Sequence, residues 1–354
     1  MDNDKTDNDD LITREPVVER IQNPNERVEV QNPTLARTTV FKWAGFVLVL
    51  VGAVVAFTIL YSSPTDTNES SEDAVQASIE NETTLEEIQQ NVVDNQLLWS
   101  ADVVKSIELY DQGNDNVNYK LTETTITLQG NGLPNHTTGN FPNKDNPNSI
   151  SEQDFGFNIP RAPVYVGTAS PVRVFGVSLG GVPMEPGTAE TDPTAGCNIE
   201  AFNVSRIFAA GVDDNNAHVQ PNGTYHYHGL PNVLVTTGEL HSNIVGFAAD
   251  GFPVYADHGY RDPTNPNGPI DHMTSSWRLK SGMRATGEPE GSYTGDYTQD
   301  YEYIEGYGDL DECNGRFTVT PDFPLGTDAY FMTEPFPYIG RCVKGEVING
   351  FTTR

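Results

Sequence analysis

Apolar positions are spread unevenly along this chain. From Ala44 to Leu60 no residue is charged, and only Gly45, Gly52 and Thr58 interrupt an apolar run flanked by Trp43 and Tyr61. A helix of that length spans about 30 Å of hydrocarbon, and tryptophan and tyrosine favour the interface at its ends. The pattern predicts one transmembrane signal-anchor helix over residues 42–61. Arg37 and Lys42 precede it. Asp66, Glu69, Glu72 and Asp73 follow, and the next basic residue is Lys105. Positive charge stays on the cytoplasmic side. The N-terminus is therefore expected in the cytoplasm, and the C-terminal bulk in an extracellular, periplasmic or lumenal space. The run starts too far from the N-terminus for a cleaved signal peptide.

The flanks lack any sustained apolar period. Residues 1–40 are polar and broken by Pro16, Pro24 and Pro33, which predicts a disordered cytoplasmic tail. Within it Asp7–Ile12 (DNDDLI) resembles an acidic dileucine sorting signal. Residues 62–96 carry acidic residues from Asp66 to Asp94 and no basic ones, the signature of a self-repelling acidic stalk. Thr84 with Glu87 fits a helix-capping box there.

From residue 97 the texture changes. Short apolar stretches alternate with Gly, Pro, Asn and Asp clusters. The stretch Val117–Leu128 alternates polar and apolar positions, and Val164–Val166, Val172–Val177, Ile244–Ala248 and Phe317–Val319 are similar. Such runs predict strands, and long helical periods are absent. The expectation is a mainly β chain: one β-rich exoplasmic domain over residues 97–354, with long loops, after one transmembrane helix.

Charge narrows the function. The formal net charge is -30. A field of that sign repels nucleic acid, so no nucleic-acid partner is expected; the lipid bilayer is the partner implied by residues 42–61. Three cysteines are too few for a disulfide scaffold. Cys313 and Cys342 enclose one loop on the exported side, where disulfides persist, and are expected to pair. Sequons begin at Asn68, Asn81, Asn135, Asn203 and Asn222.

The candidate chemistry is imidazole. His218, His226, His228 and His241 cluster in the sequence, and His218–Leu230 reads HVQPNGTYHYHGL. Pro221-Asn222-Gly223 is a turn signal followed by strand formers. Residues two apart on a strand share a face. His226 and His228 should therefore project together, with Tyr225 and Tyr227 on the other side and His218 on the paired strand. Three imidazoles suit zinc, copper or iron. His241, His136 or Asp250 are the candidates to complete the ligand set, with Glu190 and Asp213 weaker ones.

The motif Tyr225-His226-Tyr227-His228 also resembles the namesake of the YHYH domain family. The resemblance runs through GLPNHTTGNFPN (132–143), NPNSISEQDF (146–155), GVPMEPGTAE (181–190), DDNNAHVQPNGTYHYHGLP (213–231), HSNIVGFAADGFPVY (241–255), SSWRLKSGMR (275–284), QDYEY (299–303), DLDECNGR (309–316) and FPYIGRC (336–342). It implies an exported or surface-anchored protein and fixes no biochemical activity. His258 and His272 fall outside the family-like segments and are left out of the expected site. Cys197 stands where the resemblance implies an aromatic residue, so no family role passes to it.

Other patterns fail on spacing. Gly176–Gly180 matches G-x-S-x-G, but GGVPMEPG follows where a nucleophile elbow needs a helix. No glutamate follows His228 at the interval a cupin needs. Asp262–Pro269 lacks calcium-hand spacing. Arg278, Lys280 and Arg284 form a basic cluster expected to answer carboxylates. Two functions emerge: a membrane-anchored, metal-binding exoplasmic domain, and a non-catalytic adhesion module that binds a surface ligand or glycan through exposed tyrosines among Tyr293, Tyr297, Tyr301, Tyr303 and Tyr307.

Overall fold

Short alternating runs punctuated by turn residues favour short strands joined by tight turns, and the computed structural model has that form. It describes residues 99, 103–104, 107, 115–202, 210–235, 240–348 and 351. The expected tail, membrane helix and stalk (residues 1–40, 42–61 and 62–96) lie outside them. Among the described residues no helix is long and apolar enough to cross a membrane.

The strands are β1 (Val117–Leu121), β2 (Thr125–Gly130), β3 (Phe155–Pro160), β4 (Tyr165–Pro171), β5 (Gly176–Ser178), β6 (Pro183–Met184), β7 (Ala217–Val219), β8 (Tyr225–Tyr227), β9 (Ile244–Ala248), β10 (Pro253–Tyr255), β11 (His258–Tyr260), β12 (Ile270–His272), β13 (Trp277–Leu279), β14 (Tyr301–Tyr303), β15 (Gly315–Thr318), β16 (Thr327–Phe331) and β17 (Cys342–Gly345). One eight-stranded sheet, ordered β15-β16-β10-β9-β5-β6-β8-β7, organises the molecule. A three-stranded meander, β1-β2-β3, and three two-stranded pairs, β11-β12, β13-β14 and β17-β4, accompany it. The pairings are antiparallel except β10–β16 and β6–β8.

The chain is mainly β, and its strands follow the sequence pattern with informative exceptions. Val117–Leu128 is a hairpin rather than one strand. Thr122 turns it by accepting the Thr125 N–H on its hydroxyl at 3.0 Å, and β1 then pairs with β2 in the register Val117↔Gly130. Along β2, Ile126 and Leu128 are buried while Thr125 and Thr127 are not. Of Val172–Val177 only the end is strand, because the chain bends at Arg173 and Val174 as it passes from β4 into the large sheet. It re-enters at Gly176, where a Cβ would lie 2.3 Å from the Phe247 carbonyl oxygen, so β5 approaches β9 as only glycine allows. Strand β9 is apolar throughout and buried on both faces, as a central strand must be.

The core holds Leu128, Ile159, Phe175, Phe247, Tyr255, Phe331 and Ile339. Trp99 joins it, its ring 5.0 Å from that of Phe247 and 5.1 Å from that of Phe323. Cys313 and Cys342 form the expected disulfide, with Cα atoms 4.9 Å apart, and Cys197 is free and buried. Ser178 ends β5 and accepts the Val182 N–H at 3.0 Å. It holds a tight return into β6, and no helix follows. Arg278 pairs with Glu302, and Arg284 lies between Asp296 and Asp300, so carboxylates answer two members of the basic cluster.

Candidate metal centre

The site grows from the β7–β8 hairpin at one edge of the large sheet. Residues 220–224 make the turn. Gly223 adopts φ +87°, a left-handed conformation that favours glycine. The Asn222 side chain accepts the Thr224 N–H at 3.1 Å, and the Gln220 N–H closes the hairpin on the Thr224 carbonyl at 2.9 Å. The register that results sets His218 opposite His226, Ala217 opposite Tyr227 and Val219 opposite Tyr225. Strand β6 joins in parallel with Met184 beside Tyr227. Alternation then sorts the side chains. Met184, Ala217, Val219, Tyr225 and Tyr227 face the core. His218, Gln220, His226, His228 and Glu185 take the opposite face.

On that face three imidazoles meet. The Nε2 atom of His228 lies 3.0 Å from Nε2 of His218 and 3.0 Å from Nε2 of His226. Backbone carbonyls hold the far sides of two rings. Nδ1 of His218 donates to the Ala210 carbonyl at 2.6 Å, and Nδ1 of His226 donates to the Thr224 carbonyl at 3.3 Å. Nδ1 of His228 is buried and meets no hydrogen-bonding partner among the described residues. Carbonyls only accept, so His218 and His226 carry their hydrogens on Nδ1 and present bare lone pairs at Nε2. His228 has one Nε2 hydrogen at most. One of the two 3.0 Å contacts is therefore left without a hydrogen.

Protonation is a costly remedy. His226 and His228 are 2% and 1% exposed. Burial, then the charge of His218, lowers His226 to about 3. Burial, then His226 and His218, lowers His228, and burial lowers His218. The three rings form a group that could hold a metal ion. Tetrahedral coordination at about 2.1 Å would set nitrogens roughly 3.4 Å apart, close to the spacing here.

The rings line a cavity of about 590 Å³, with Arg173, Glu185, Glu190, Gln220 and Arg341 among its walls. Glu185 is 8% exposed. Gln220 donates to it at 2.9 Å, Arg173 lies 3.6 Å away, and burial raises its carboxyl. Glu185 and Gln220 are not among the residues expected from the sequence. Gln220 stands two residues beyond His218, so the alternation that unites His226 with His228 also reaches it. Glu185 enters through the parallel β6–β8 pairing, which leaves no local signal.

The other candidates do not join the cluster. His136 lies on the tyrosine face, its Nε2 2.7 Å from the Tyr227 hydroxyl. His241 packs among Tyr255, Tyr260 and Phe331, with Nδ1 on the Ser242 carbonyl at 2.8 Å. Asp250 is fully buried and accepts from the Tyr330 hydroxyl at 2.6 Å and the Gly345 N–H at 2.9 Å. It is a turn anchor. Asp213 likewise accepts from the Tyr225 hydroxyl at 2.7 Å and the Gly139 N–H at 2.9 Å. In the tyrosine run, Tyr297 is buried, Tyr301 stacks on Phe336 at 3.7 Å, and Tyr307 is exposed.

Residues 156–345 match the family model described as "YHYH protein". No curated protein and no solved structure matches the chain. The matched segment includes β6, β7 and β8 with all three converging histidines, and covers more than half of the 354 residues. With that coverage, and with Tyr225, His226 and Tyr227 of the motif forming strand β8, this chain belongs to the YHYH protein family.

Proposed function

We propose that this protein is a membrane-anchored metal-binding protein in which His218, His226 and His228 hold a transition metal ion (zinc, copper or iron) on the exoplasmic side. One observation carries the reading: three Nε2 atoms, on the buried rings of His226 and His228 and the half-buried ring of His218, converge in an arrangement that the hydrogens of neutral rings cannot satisfy. A cation shared by the three lone pairs removes the conflict. Anchoring rests on the apolar run within residues 42–61 and the charge bias around it. The Cys313–Cys342 disulfide fits an oxidising compartment.

When bound there, such an ion supplies Lewis acidity or redox chemistry at a position left open by only three protein ligands. The chain's own residues set the surroundings. The Ala210 and Thr224 carbonyls fix the tautomers of His218 and His226 and aim their lone pairs. Gln220 and Arg173 hold the Glu185 carboxyl at the cavity wall.

Metal analysis of the purified full-length chain tests the reading against the double variant His226→Ala/His228→Ala. The expected result is that the parent copurifies with or reloads one equivalent more than the variant. Equal metal content in both, with a parent stability that a chelator leaves unchanged, overturns it. Alkaline extraction of membranes tests the anchor: the chain should stay with the bilayer, and a chain lacking residues 42–61 should be released.

A further inference from the structure

A second group of ligand atoms, sharing no residue with the triad, includes two histidines outside the family-like segments. Strands β11 and β12 form a hairpin around the Asp262–Pro269 loop, and their register sets His258 directly opposite His272. Residues so paired present side chains to one face. The two rings accordingly lie 4.0 Å apart between centroids. Asp257, just before β11, reaches both. Its Oδ1 is 2.9 Å from Nδ1 of His258, and its Oδ2 is 2.9 Å from Nδ1 of His272. One carboxylate oxygen and two imidazole nitrogens, all within 4.8 Å of one another, converge there.

The charge balance of this group is unusual. Asp257 is 6% exposed and His258 is 7% exposed. A carboxylate buried that deeply needs a compensating cation. Among the described residues its ion pairs are with these two histidines, and no lysine or arginine pairs with it. Arg261, the arginine on this hairpin, is held by Asp271 through two hydrogen bonds. An imidazole supplies a full positive charge only when it is protonated and a dipole otherwise. The His272 side chain is 71% exposed, so the site has an open side through which an ion can enter.

We propose that Asp257, His258 and His272 form a second binding site for a divalent transition metal, with one oxygen and two nitrogen donors. That donor set suits zinc, and less well the harder magnesium or calcium. The hydrogens that the rings now give to Asp257 move to Nε2 when Nδ1 becomes the ligand, and at His272 that N–H faces water. The site stands independently of the triad, because the two share no residue.

Zinc titration of the metal-stripped full-length chain, against a competing chromophoric chelator, tests it. Two equivalents are expected in the parent and one in His272→Ala, a surface change that leaves the core intact. Asp257→Asn, which keeps the shape and removes the charge, should also lose one equivalent while the triad's equivalent reports that the fold is retained. His226→Ala/His228→Ala should lose only the other. If His272→Ala and Asp257→Asn bind as the parent does, the second site does not exist and the group is a hydrogen-bonded clasp. If only the triad variant leaves zinc binding unchanged, the triad reading fails and this one stands.

Discussion

The behaviour of His226 follows from where its ring is placed. Its neutral form persists to about 3 in the folded chain, whereas an unfolded histidine protonates near 6.5. Between those values the unfolded chain binds more protons, so this residue makes stability fall as pH drops from about 6.5 towards 3. Asp328 acts in the opposite sense. Burial, then the charge of Asp250, raises it to about 7, so its contribution is full below its unfolded value near 3.9 and is lost as pH rises through 7. Single variants separate the two. Urea unfolding of the chelator-treated protein should show a shallower slope from pH 3 to 6.5 in His226→Gln than in the parent. It should show Asp328→Asn gaining on the parent as pH rises from about 3.9 to 7. Unchanged slopes would contradict the burial assigned to these groups. The two faces of β8 are separable in the same way. Tyr227→Phe removes the hydroxyl bonded to His136 and should cost about 1 kcal/mol with metal content unaltered.

At the scale of elements, the site depends on one hairpin and its neighbour. The Pro221-Asn222-Gly223 turn fixes the β7–β8 register, and a slip of one residue would put Tyr225 and Tyr227 on the histidine face. Gly223 is the sensitive point. It combines φ +87° with a Cβ position 1.9 Å from the Ser151 hydroxyl oxygen. Gly223→Ala should therefore lower stability by about 1–2 kcal/mol from the left-handed backbone alone and weaken metal binding, as read by denaturant titration and zinc competition. Binding unchanged from the parent would show that the turn does not position the ligands. The same reasoning explains what was legible. Period-two alternation joined His226 to His228, and the turn signal placed His218 across from them. His258 and His272 carry a similar signal, one on each side of a Pro-, Asn- and Gly-rich loop, and lie outside the segments that resemble the family.

For the whole molecule, the Cys313–Cys342 link closes a loop of sequence separation 29 that contains β15 and β16, and it ties the turn before β15 to the start of β17 in a different sheet. Loop entropy makes its loss worth about 3–4 kcal/mol. Reduction or Cys313→Ala/Cys342→Ala should lower the urea midpoint accordingly without changing the triad's metal equivalent, since neither cysteine lies in β6, β7 or β8. A midpoint insensitive to reductant would contradict this.

The amino-acid sequence by itself determined the β character of the chain, the disulfide and the shared face of His226 and His228. These depend on local alternation, turn chemistry or the scarcity of cysteine, all of which act over short stretches or few alternatives. Only the tertiary structure decided which remaining residues meet. His136 lies on the opposite face of the hairpin, His241 and Asp250 are bound within the core, and Glu185 reaches the cavity from the end of a strand some forty residues from the motif. Such meetings depend on how strands order themselves in a sheet, which non-local packing sets and no single stretch of chain encodes.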